Sequence, residues 1–287
     1  MKKLIGQIPV IGALASSSRQ FVYKPQDWLT KRKLANINHP YGQLFSGILN
    51  SLKNLDADDG HDYLREIEKE RRHMLQNDEP LVYEMCGEAG LYDKGASIRD
   101  ACRVSKKPKA ALFMYLLIRY LKPTKLIELG TNVGISSAYQ AVALKLNGQN
   151  GQLVTLDVSP SRLRLAKELH KKLGLENIAY VQGLFEDTLE RTLIEFGPID
   201  FSFIDGYHQY QPTLDYFNTI YRKSLPNSIF VFDDIRWSDG MKHVWREIQS
   251  DRRIFLAVDL NTMGVCFSSS DQFMTRYILP TIHYALL

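Results

Sequence analysis

From Lys125 to Ser268 short apolar runs alternate with amphipathic stretches of helical spacing, and this alternation limits the fold more than any other feature of the chain. The strands expected are Leu126–Leu129, Gln152–Leu156, Ile178–Gln182, Asp200–Ile204 and Ser228–Phe232. Helices are expected at Ile135–Leu146, Ser161–Leu173, Asp187–Phe196, Pro212–Arg222 and Gly240–Gln249. Such alternation demands parallel pairing through right-handed crossovers, with helices on both faces. Two last strands, Ile254–Asp259 and Gly264–Ser268, are joined only by a turn through Asn261, so they pair antiparallel. The expected architecture is α/β: a Rossmann-like, seven-stranded, mostly parallel sheet with an antiparallel last strand, plus a helical N-terminal extension. Ligands of open parallel sheets bind beyond the carboxyl ends of the strands, so the residues just after each strand carry the functional information.

The 287 residues divide into a basic, partly apolar segment (1–34), a helical extension or lid (35–105) and the sheet-bearing domain (106–287). In the extension, Leu64, Ile67, Met74 and Leu75 share one face of a helix expected over Asp59–Gln76, whereas 77–105 reads as irregular. A helix over Pro108–Leu121 follows, with Ser105 as its expected cap and proline in its first turn. The net charge of +4 is unevenly placed. Residues 1–34 hold seven basic side chains against Asp27, a local +6, so the rest of the chain carries −2. A general nucleic-acid-binding surface is therefore not expected. The basic segment is compatible with a flexible terminus, a short secretory signal, or peripheral contact with an anionic membrane face through Leu4, Ile5 and Ile8. Three widely spaced cysteines, without a Cys-x-x-Cys pair, fit a reducing compartment such as the cytoplasm.

The first strand runs into Glu128-Leu129-Gly130-Thr131-Asn132-Val133-Gly134-Ile135-Ser136 and opens a helix. Glycines at 130 and 134 allow a tight turn and close approach of a ligand to backbone amides. A dinucleotide fingerprint needs Gly-x-Gly-x-x-Gly, and Asn132 and Ile135 stand where its second and third glycines would be. The second strand ends in Asp157, placed to accept hydrogen bonds from ribose hydroxyls.

At these residues the chain resembles the class I S-adenosylmethionine-dependent methyltransferases, and the Glu-Leu-Gly-Thr-x-x-Gly-Ile-Ser form is most similar to the metal-dependent small-molecule O-methyltransferases and their bacterial relatives. The resemblance spans Leu126 to about Ser268. It implies that Glu128, Gly130, Thr131, Gly134 and Ser136 surround the methionine part of the cofactor. It further implies that Asp157 holds the ribose and that Gly183 and Leu184 flank the adenine. Asp205 ends the fourth strand, and Asp233 and Asp234 end the fifth. Three carboxylates at one sheet edge repel unless a cation or proton compensates them, and hard oxygen ligands suit Mg²⁺ or a similar divalent cation. The resemblance assigns the same three residues to that metal, with Asp205 also at the cofactor and Asp205 and Asp234 in the reaction.

Relatives commonly place a lysine near the base position, and none is adjacent here; His208, whose unperturbed pKa is about 6.5, is the expected general base. Tyr207, Tyr210 and Trp237 are candidate walls for a flat or sugar acceptor. The implied activity is methylation of a hydroxyl on a small molecule: a sugar, a lipid-linked species or an aromatic metabolite. Two other readings stand beside it. A nucleic-acid methyltransferase would show Asp/Asn-Pro-Pro-Tyr where this chain has Ile204-Asp205-Gly206-Tyr207, and a non-catalytic cofactor-binding module would not need the strand-end acids. The oligomeric state is open, a dimer being one option.

Overall fold

The computed structural model describes residues 40–51, 58–82, 93–269 and 277–278. Expectations for residues 1–34 lie outside the described residues. No helix among the described residues is long and apolar enough to cross a membrane.

Five strands, β1 (Lys125–Leu129), β2 (Gln152–Asp157), β3 (Ile178–Gln182), β4 (Ile199–Ile204) and β5 (Ser224–Phe232), pair in parallel in the order β3-β2-β1-β4-β5. The hairpin expected at the end is present as β6 (Ile254–Asp259) and β7 (Gly264–Ser268). Its second strand inserts between β5 and β6 and runs antiparallel to both, because the short Leu260–Met263 connection leaves no room for a crossover. A two-residue strand, β8 (Tyr277–Ile278), adds an unforeseen eighth member parallel to β6.

Side chains alternate across this sheet with the strand period of two. Ile229 and Val231 of β5 join one core and Phe230 and Phe232 the other. The first core lies under α1 (Pro40–Ser51), α2 (His61–Met74), α4 (Pro108–Leu121) and α5 (Ile135–Asn147). The opposite core is covered by α7 (Phe185–Phe196), α8 (Tyr210–Tyr221) and α9 (Asp239–Ser250). Helix α6 (Pro160–Lys172) packs on the β2 and β3 side. Residues Ala110 to Ile118 of α4 are all buried, since that helix is wedged between α5 and α1.

Two local expectations change. The stretch 77–105 contains a short helix, α3 (Ile98–Arg103), started by a reciprocal Ser97 and Asp100 capping box. Ser105 does not cap α4, whose N-cap is Lys107 without a side-chain bond; its hydroxyl instead accepts from Asn132 Nδ2 at 3.2 Å.

Candidate active site

The turn after β1 is fixed from two sides. The amides of Gly130 and Thr131 both donate to the Leu156 carbonyl, at 2.9 and 3.1 Å, while the Asp205 amide donates to the Leu129 carbonyl at 3.0 Å. Gly130 has φ +100°, and a Cβ there would run into the Asp205 carbonyl oxygen. Gly134 has φ +84°, and its Cβ would lie 2.7 Å from that of Ala166, so α5 begins hard against α6. No side chain caps α5, which leaves its first-turn amides to serve a ligand at the sheet edge.

Glu128 does not face that edge. It is fully buried, its carboxyl oxygens accepting from Gln140 Nε2 at 2.7 Å and Thr155 Oγ1 at 2.6 Å. Burial pushes its pKa up to about 8 against these hydrogen bonds, so a proton resides on it at neutral pH. Ser136, also hydrogen-bonded to Glu128, and Thr131, 2.7 Å from Thr155 Oγ1, belong to the same internal network. These three residues support the turn from beneath.

Asp157 does reach the edge. Oδ2 accepts the Asn132 amide at 2.7 Å and Oδ1 the Ser159 amide at 2.9 Å, and each oxygen keeps capacity for a further donor. Burial raises its pKa while the two amides oppose the shift. The Gly183 amide donates to the Asp157 carbonyl at 3.1 Å, which sets Gly183 and Leu184 beside it at the end of β3. Arg162 binds Asp93 Oδ1 at 2.7 Å and Asn132 Oδ1 at 3.2 Å, and Asp93 also accepts from Ser159 Oγ. Asn132 Nδ2 donates to the Ala101 carbonyl at 2.9 Å. Residues upstream of the sheet therefore anchor the first turn.

The fourth and fifth strands bring Asp205, His208, Asp233 and Asp234 together. His208 Nε2 lies 3.6 Å from Asp205 Oδ1 and 3.9 Å from Asp234 Oδ2, within reach of both carboxylates. Tyr207 (φ 65°), His208 (φ 35°) and Asp234 (φ 49°) all hold left-handed backbone conformations, costly for non-glycine residues and characteristic of functional sites. Burial pushes the Asp205 carboxyl up, with the charges of Lys106 and His208 opposing. Trp237 is exposed, its ring 6.4 Å from that of His208, and Tyr207, next to His208 in sequence, is also exposed. Tyr210 forms no such wall: it pairs with Glu247 and packs 5.1 Å from His243 on α9.

The metal expected at Asp205, Asp233 and Asp234 does not fit this arrangement. Asp233 is buried and ion-paired with the ammonium of Lys106, itself buried, from the segment between α3 and α4. Among the described residues no three His, Cys, Asp or Glu side chains converge as a metal cage. A lysine does stand at the strand ends, but it arrives from 127 residues upstream of its partner, where no sequence spacing would signal it.

With this geometry in view, the comparisons with known proteins fall into place. Residues 127–235 match the family described as a methyltransferase domain. The chain is similar to a catechol O-methyltransferase of Niastella koreensis, 31% identical over 134 residues, which are 46% of this chain and 58% of that protein. The chain thus spans 58% of the length of this curated relative. Its fold is similar to that of an O-methyltransferase from Bacillus cereus solved in complex with SAH, with TM-score 0.53 and 19% identity over 73% of this chain and 91% of that one. A protein from Klebsiella pneumoniae described as a candidate O-methyltransferase superposes with TM-score 0.54 and 18% identity, covering 79% of this chain and 99% of that one.

Proposed function

We propose that this protein is an S-adenosylmethionine-dependent O-methyltransferase that methylates a hydroxyl of a small, flat, phenolic acceptor. The observation that carries the reading is His208, held on strained backbone between Asp205 and Asp234, one strand away from the Gly130 turn and two from Asp157. The residues present fit the cofactor: an uncapped helix start, a turn in which Gly130 admits no side chain, and a carboxylate with unused acceptor capacity.

When bound, the cofactor supplies a methyl group on a sulfonium for in-line displacement by oxygen. Asp157 would accept the ribose hydroxyls, the backbone amides that open α5 would receive the methionine carboxylate, and Gly183 with Leu184 would border the adenine. His208 Nε2 takes the proton from the acceptor hydroxyl as the oxygen–carbon bond forms, and Asp205 and Asp234 stabilise the imidazolium that results. Trp237 and Tyr207 supply exposed aromatic faces at the mouth, which favour a planar acceptor over a sugar or lipid-linked one. The name of the Niastella koreensis relative points the same way.

Calorimetric titration with S-adenosylhomocysteine tests the cofactor, and transfer of labelled methyl to a catechol compared with a monosaccharide tests the acceptor. Absence of S-adenosylhomocysteine binding sinks the reading; transfer to the sugar alone overturns the acceptor class.

A further inference from the structure

Three carboxylates gathered at two adjacent strand ends need a positive charge, and the protein carries one of its own. Lys106 Nζ bonds Asp233 Oδ1, and both side chains are more than nine-tenths buried. We infer that Lys106 holds the place of the divalent cation, so that this chain organises its strand ends with an internal ammonium and works without a metal. The inference rests on the reading of this edge as the reactive site.

The physical case has three parts. A metal at Asp205, Asp233 and Asp234 would have to displace Lys106 from Asp233 and so break a buried ion pair, which is strongly unfavourable. Burial pushes the Lys106 pKa down while the charges of Asp205 and Asp234 oppose that shift, so the lysine paired with Asp233 also interacts with the other two acids and offsets part of their mutual repulsion. Finally, His208 already stands on the outer side of Asp205 and Asp234, where a hydrated metal would need room for its waters. Lys106 is a positioning residue: it fixes Asp233 and lessens the negative charge of the edge, and His208 handles the proton.

Mn²⁺ is the probe, because the electron paramagnetic resonance signal of the free ion disappears on immobilisation. The full chain stripped by chelator is expected to leave equimolar Mn²⁺ free, and Mn²⁺ immobilised by the wild-type protein overturns the inference. Lys106→Ala vacates the Asp233 carboxylate and is expected to bind Mn²⁺ at least about tenfold more tightly than wild type. A Lys106→Ala protein that keeps its far-ultraviolet circular dichroism yet remains as indifferent to Mn²⁺ as wild type also overturns it. If that variant does not fold, the wild-type arm decides alone. Since Mn²⁺ immobilisation is read without cofactor, failure of S-adenosylhomocysteine to bind counts against the methyltransferase reading and leaves the metal result standing.

Discussion

The Asp157 carboxylate accepts the backbone amide of Asn132 at 2.7 Å, so the end of β2 holds the turn that follows β1. Asn132 needs that hold, because its φ of 48° is unfavourable for a residue with a side chain. Asp157→Ala removes the support of the turn together with the ribose acceptor proposed above. S-adenosylhomocysteine affinity is expected to fall about tenfold to hundredfold, as for loss of a charge-assisted hydrogen bond. Calorimetry measures it, and an unchanged dissociation constant would remove Asp157 from the cofactor site.

His208→Ala is expected to lower turnover by about 10²- to 10⁴-fold, the usual contribution of a general base, while S-adenosylhomocysteine affinity is preserved. A variant with wild-type turnover assigns the proton elsewhere.

Gly130→Ala puts a methyl group into the Asp205 carbonyl oxygen at a backbone angle of φ +100°. Overpacking of this kind costs about 1–3 kcal/mol, and each kcal/mol lowers Tm by about 2–4 °C in a chain of this size. Thermal denaturation should show that fall together with weakened S-adenosylhomocysteine binding, since the turn and the β4 end move together.

Two buried groups give stability a pH dependence of opposite sign. His170 donates from Nε2 to the Gly134 carbonyl at 2.8 Å and accepts at Nδ1 from Tyr180 at 2.7 Å; burial pushes its pKa down to about 4. A depressed folded pKa means that its stability is fully present above about pH 6.5 and is lost as pH falls through about 4. Glu128, raised to about 8 by burial, does the reverse: its stability is fully present below about pH 4.5 and is lost as pH rises through 8. The slopes of these two groups oppose each other between 4.5 and 6.5, and of the two only Glu128 contributes from 6.5 to 8. In denaturant titrations Glu128 should therefore cost wild type up to about 1.4 kcal/mol per pH unit in that upper window, and Glu128→Gln should show a shallower slope there.

Much of this molecule is legible in its sequence, for reasons that can be named. Strands β3, β6 and β7 and helix α4 occupy the residues their patterns predict, because apolar runs bounded by glycine, proline or asparagine have few other ways to be buried. The capping box at Ser97 and Asp100 was a usable signal for α3, hidden by the short helix that it starts. The burial of Glu128 has a different cause: the alternation that turns Ile127 and Leu129 to one core turns Glu128 to the other, where Gln140 meets it. Lys106 is invisible to any spacing argument, since the fold alone brings it to Asp233.

Asp93, Ala101, Ser105 and Lys106 all precede β1, yet they touch Ser159, Asn132 and Asp233. Exchange of this stretch between homologous chains, made to alter which molecule is accepted, would carry a strut of the cofactor turn and the counter-charge of the strand ends along with it. The shape of the turn after β1 and the charge balance of the strand ends therefore change together whenever this stretch is altered.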